Sequence, residues 1–165
     1  MTDTEFQNGS SRVKIPGRLY WSLQPSRARI LSVVSLGGLH AWLVLKWVLP
    51  LEQNWAGLVV SGLALVGFVS TIAMFLTTYS FVAHAPNSDI DERELAQRNQ
   101  AYLRTHQYLF TMLILGAIAL EVAARWSGFQ AGVSQYQAFL TVLGFSSLIL
   151  PGCILAWIDR SDDLS

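Results

Sequence analysis

Residues 56 to 81 read Ala56-Gly-Leu-Val-Val-Ser-Gly-Leu-Ala-Leu-Val-Gly-Phe-Val-Ser-Thr-Ile-Ala-Met-Phe-Leu-Thr-Thr-Tyr-Ser-Phe81, and none of them is charged. About 20 apolar residues, wound as a helix rising about 1.5 Å each, cross the roughly 30 Å of hydrocarbon in a bilayer. A stretch of this length with no charge is therefore a transmembrane helix with room to tilt. Three more apolar stretches follow the same rule, at about 30–49, 108–124 and 138–158. Lipid-facing backbone must satisfy its hydrogen bonds within its own segment, so the expected fold class is an all-α integral membrane bundle of four transmembrane helices.

Composition agrees. Hydrophobic residues make up 52% of the 165 and charged residues only 13%, against about 25% charged in soluble domains. The formal net charge is zero, which gives no general attraction to nucleic acid. A lone cysteine, Cys153, forms neither an internal disulfide nor a cysteine cage for zinc.

The chain divides into a polar segment, 1–29, and a membrane domain, 30–165. Residues 1–29 contain no apolar core followed by a small-residue cleavage site, so the first span is expected to be retained. Pro50 ends span one, and the short run to Trp55 forces an antiparallel hairpin. Pro86 breaks the chain after span two, with Ser88 or Asp89 placed to cap the next helix and Asp91, Glu92 and Glu94 suited to its positive end. No breaker intervenes before Arg125, so the third helix is expected to begin in water and enter the membrane near Tyr108.

Orientation follows from Lys and Arg near the span ends. Arg12, Lys14, Arg18, Arg27, Arg29, Arg93, Arg98, Arg104 and Arg160 fall on the side of the two termini and the 82–107 connector, whereas the opposite side holds only Arg125 outright. The positive-inside rule then puts both termini in the cytoplasm. Aromatic residues mark both interfaces, with Tyr20, Trp21 and Trp157 at one and Trp47, Trp55 and Tyr136 at the other.

Few side chains in the spans invite chemistry. Lys46 and Glu121 fall at similar depth near the outer face, so an intramembrane ion pair between them is one expectation. The plainer alternative has Lys46 reaching outward and Glu121 bonding Arg125 one turn away. His40 lies near the middle of span one beside Gly37 and Gly38, where its ring would either hydrogen-bond a neighbouring helix or ligate a haem or chlorophyll-type tetrapyrrole. His84 and His106 lie too near one edge to be a second axial ligand at His40's depth, and their spacing matches no metal motif. Pro151 should kink span four by leaving the carbonyl of Ser147 without a donor, for which the hydroxyls of Ser146 and Ser147 are near replacements. Gly37 with Ala41, Gly67 with Thr71, and Gly116 with Ala119 mark expected close helix contacts. No phosphate-cradling glycine loop, nucleophile elbow or zinc-binding histidine pair occurs.

The stretch Asp91-Glu-Arg-Glu-Leu-Ala-Gln-Arg-Asn-Gln-Ala-Tyr102, running into an apolar span, resembles the juxtamembrane helix of uncharacterised small bacterial membrane protein families. That resemblance implies a bacterial inner membrane and no particular activity. Together these features favour a non-enzymatic accessory or scaffold subunit, with the lipid bilayer and other membrane subunits as partners. A tetrapyrrole carrier built on His40 and a small transporter are the alternatives. The topology has a direct check: a cysteine substituted for Arg98 is expected to react with an impermeant maleimide only from the cytoplasmic side, and one substituted for Trp55 only from the other.

Overall fold

The computed structural model describes residues 21–48, 54–87, 90–127 and 132–159. The first 20 residues, the cap candidates Ser88 and Asp89, and the acidic end after Asp159 lie outside them. The described residues form five helices: α1 (Pro25–Val48), α2 (Asn54–Phe75), α3 (Thr78–His84), α4 (Glu92–Ser127) and α5 (Val133–Ile158). Of these, α1, α2, α4 and α5 are long and apolar enough to cross a bilayer, the architecture of a multi-pass membrane protein.

Helix α1 starts ahead of the apolar run because Pro25, with no amide hydrogen to lose, suits the first helical position. Its buried side chains, Ala28, Ser32, Ser35, Leu39 and Leu43, recur every three or four residues and form one stripe. Gly38 on this helix meets Gly67 on α2 backbone to backbone. A Cβ at Gly38 would stand 2.9 Å from the Gly67 Cα, and one at Gly67 would stand 2.9 Å from the Leu39 nitrogen. The expected small residue here was Gly37, but its missing Cβ faces open space. Periodicity located the contact to within one residue and missed which of two adjacent glycines turns inward.

Span two is not one helix to Phe81. Helix α2 ends at Phe75, and Thr77 caps α3 in an extended conformation, its hydroxyl accepting from the Ser80 amide at 3.4 Å and donating to the Met74 carbonyl at 2.7 Å. Backbone groups freed by the break pair with Trp21: its amide donates to the Leu76 carbonyl at 2.8 Å and its carbonyl accepts from the Thr78 amide at 3.1 Å. The chain also changes direction. Nine residues of continuous helix would separate Phe75 from His84 by about 13 Å, yet their ring centroids are 5.9 Å apart. Helix α3 instead lies across α5, where Gly152 lets the Ser80 backbone approach so closely that a Cβ would stand 3.1 Å from its Cα.

Asp91, rather than Ser88 or Asp89, caps α4. The Glu94 amide donates to the Asp91 carboxylate at 2.7 Å and the Asp91 amide to the Glu94 carboxylate at 3.4 Å, a reciprocal capping box. Arg98, buried, donates to the Ala85 carbonyl at 2.6 Å and also to the Asn87 side chain, closing the exposed end of α3. Helix α4 then continues to Ser127, about 54 Å by helical rise.

Helix α4 packs against its neighbours well before Tyr108. Ala101 packs with Ala83 and with Leu155 near the end of α5, while Tyr108 bonds His40, well inside α1. Tyr108 is therefore level with the middle of α1, and Ala101 with the end of α5. Arg104, His106 and Gln107 interrupt the apolar pattern over this part of the helix.

Helix α5 carries Pro151 inside it and buries Ile149 to Cys153 against α1, α2 and α3. The Ser147 hydroxyl bonds the Gly144 carbonyl at 2.7 Å, so it is not the replacement donor expected for its own carbonyl. Arg29 on α1 closes the end of α5, donating from Nε to the Ala156 carbonyl at 3.1 Å and from Nη2 to the Asp159 carbonyl. Tyr79 donates to the Asp159 carboxylate at 2.9 Å.

The glycine contact has a measurable weight. Gly38→Ala and Gly67→Ala are each expected to lower stability by about 1–3 kcal/mol through overpacking, whereas Gly37→Ala leaves it nearly unchanged, as read from thermal unfolding by circular dichroism in detergent.

Candidate functional site

The polar centre of the bundle is built by α1, α4 and α5. His40 Nδ1 lies 2.6 Å from the Leu36 carbonyl one turn back, and Nε2 bonds the Tyr108 hydroxyl. A carbonyl only accepts, so Nδ1 carries the ring proton and Nε2 of the neutral imidazole accepts from Tyr108. The two rings meet edge to face with centroids 5.9 Å apart. Ser146 on α5 completes the group: its hydroxyl, fully buried, lies beside that of Tyr108 but forms no hydrogen bond of ordinary geometry among the described residues. Its helix neighbour Phe145 joins Phe68 and Trp42 in an edge-to-face chain, with centroids 5.1 Å and 5.6 Å apart.

Each position has a local cause. Backbone bonding to Leu36 holds the imidazole against its own helix, and its ring edge is then presented to α4. The approach of α1 to α2 at Gly38 and Gly67 fixes the depth at which this happens. On α4, Gly116 accepts the Phe139 ring so closely that a Cβ would stand 2.7 Å from it, drawing α4 and α5 together eight residues beyond Tyr108. An interhelical hydrogen bond in the membrane interior contributes about 0.6 kcal/mol on average and rarely above about 1.7. The His40–Tyr108 bond thus sets register between α1 and α4 more than it adds stability.

Both nitrogens of His40 are engaged, so a tetrapyrrole iron at Nε2 would have to displace Tyr108. Lys46 and Glu121 are not brought together. Glu121 accepts from Arg125 Nε at 2.7 Å, with the two side chains 62% and 75% exposed, the local pair one turn apart that was the plainer expectation. Lys46 extends over the Trp42 ring on its own helix, its ammonium 5.3 Å from the centroid. The physical reason is depth: with Tyr108 near the middle of α4, Glu121 lies about 20 Å beyond it and reaches the far interface.

His84 also has a defined place. Its Nε2 donates to the Leu148 carbonyl at 3.1 Å and its Nδ1 lies 3.0 Å from the Tyr102 hydroxyl, which is itself 3.2 Å from the Ala83 carbonyl. The single hydroxyl proton of Tyr102 serves one of those two acceptors at a time. This network ties α3, α4 and α5 together near Pro151. His106 is exposed and takes no part in it. Among the described residues, no group of three or more His, Cys, Asp or Glu side chains is placed to hold a metal ion. Cys153 is buried between Met74 and the hydroxyls of Ser32 and Ser35.

His40 was legible as a polar contact between helices, but its partner Tyr108 was not, because that residue was assigned to an interface. A tyrosine four residues before the first wholly apolar stretch of α4 was the available signal. Comparison with known protein families, with curated proteins and with solved structures finds no match to this chain.

The His40–Tyr108 bond of this cluster joins α1 to α4. Tyr108→Phe and His40→Phe are each expected to cost about 0.5–1.5 kcal/mol, and the double substitution less than the sum, since both delete the same bond. Unfolding free energies measured in bicelles for the four-member cycle would check this.

Proposed function

We propose that this protein is a non-catalytic accessory or scaffold subunit of a larger membrane complex, in a bacterial inner membrane with both termini in the cytoplasm. The observation that carries the proposal is the exposure of α4: no residue in its apolar membrane window is buried within the chain. The helix touches its own bundle along one stripe, Ala101, Thr105, Tyr108, Met112 and Gly116, and turns its remaining surface outward. Lipid covers an apolar surface of this kind without help, so exposure alone would be unremarkable for a membrane helix.

The polar groups give the exposure its meaning. His40, Arg29 and Arg98 within the bundle, and His84 at its surface, are committed to bonds that close helix ends or join helices. What remains outward is surface, and the excess of Lys and Arg at the end of the bundle holding Arg29 and Arg98 supports the cytoplasmic assignment of that end. A scaffold needs a rigid body and a free face, and these are what the chain offers.

Native mass spectrometry after gentle extraction from the source membrane tests the reading. The expected particle contains this chain in fixed ratio with at least one different membrane protein. A chain found alone, or only with copies of itself, across several mild detergents and nanodiscs would overturn it.

A further inference from the structure

One flank of α4 is not suited to lipid. Gln100, Arg104, Gln107 and Thr111 are spaced by four, three and four residues, which puts them in a single row on the helix surface, and all four are exposed. The row begins beside Ala101, which packs on Leu155 at the end of α5, and runs past Tyr108, which bonds His40 near mid-depth. It therefore occupies about 16 Å of one half of the bilayer. The second flank, with Leu103 and Phe110 on the adjoining outer face and Leu113 further round, presents exposed apolar side chains, interrupted by His106.

Acyl chains accept the second flank and not the first. An arginine facing hydrocarbon near the centre of a span costs about 2.5–3.5 kcal/mol even on the lenient insertion scale, and snorkelling relieves the cost only towards an interface. Arg104 has some of that reach. Gln107 is shorter and deeper, and its side-chain amide has two donors and a carbonyl to satisfy. Only Thr111 solves the problem locally, donating to the Gln107 carbonyl at 2.8 Å. Among the described residues, no hydrogen bond or ion pair reaches the side chains of Gln100, Arg104 or Gln107.

A second copy of the chain does not supply the missing partners. Two copies with the same orientation in the membrane, joined along this row, would set Arg104 against Arg104. The exposed acid further along α4, Glu121, lies about 25 Å from Arg104 along the helix and is engaged by Arg125.

From these observations we infer that the polar row of α4 docks a transmembrane helix of a different protein, one bearing an aspartate or glutamate level with Arg104 and an amide or hydroxyl side chain level with Gln107. This deepens the accessory-subunit reading and rests on it. A guanidinium and carboxylate held between two helices fix register and exclude helices that lack the acid, because a cation left unpaired there is costly.

The test uses the full chain in its native membrane, with a photo-crosslinking amino acid in place of Thr111 and, separately, of Leu113. The expected product from position 111 maps by mass spectrometry to one transmembrane segment of another protein, with an acidic residue within one helical turn of the crosslinked position. Arg104→Glu lowers its yield about fivefold or more, the equivalent of roughly 1 kcal/mol of docking energy, and replacing the partner's acid by lysine in that background restores it. Gln107→Leu, which lipid tolerates, lowers the yield without changing charge and guards against misfolding of the Arg104 variant. Adducts to phospholipid alone, adducts to a second copy of this chain, or yields unchanged by both substitutions would overturn the inference. If the row fails in this way while native mass spectrometry still finds a mixed particle, the docking surface lies elsewhere and the accessory reading stands. If the chain also runs alone, both fall.

Discussion

Hydrocarbon offers no hydrogen bonds, and nearly every irregularity of this fold is organised by that constraint. The break between α2 and α3 frees backbone groups, and Trp21 pairs with them across an interval of more than fifty residues. The exposed end of α3 would leave the carbonyl of Ala85 bare, and Arg98 reaches it. The last carbonyls of α5 receive Arg29 from the first helix. In each case a side chain or strand-like segment remote in sequence supplies what water would supply in a soluble protein.

These same bonds lead to the proposed docking surface by subtraction. Arginines 29 and 98, which by composition alone belong to the same population as Arg104, are spent inside the molecule. Among the described residues Arg104 has no such bond, and it is set in a row with Gln100 and Gln107 on the exposed surface of α4. The functional reading depends on this difference between arginines of equal charge and unequal surroundings, since neither the central histidine nor the cysteine offers a reactive group free of its neighbours.

The hydrophobic layout was readable in the sequence because burial in lipid requires only length and lack of charge. All four crossings were visible on that basis. Direction within them was not. The end of α2 at Phe75 depends on Thr77 adopting an extended conformation that Trp21 stabilises, and an apolar run contains no sign of such a distant contact. The early packing of α4 was hidden for a related reason: Arg104, His106 and Gln107 resemble a water-facing approach, yet α4 packs on α3 and α5 from Ala101 onward. The Asp91 cap was hidden among several acidic neighbours equally able to serve. At the polar centre, His40 was recognisable as the unusual residue of its span, but its bond to Tyr108 required the depth of both helices to be known.

Arg29 and Ala156 are 127 positions apart in the chain, which gives the clasp between α1 and α5 a temporal meaning. At about 5–20 residues per second of synthesis, the first span leaves the ribosome roughly ten seconds before its counterpart exists. Throughout that interval the guanidinium lacks these carbonyls, and α1 has only its contacts with the segments already made, α2 first and Tyr108 of α4 later. The molecule is thus fastened last where it was begun, so a chain interrupted in its final turn would be inserted in the membrane and yet left unlatched.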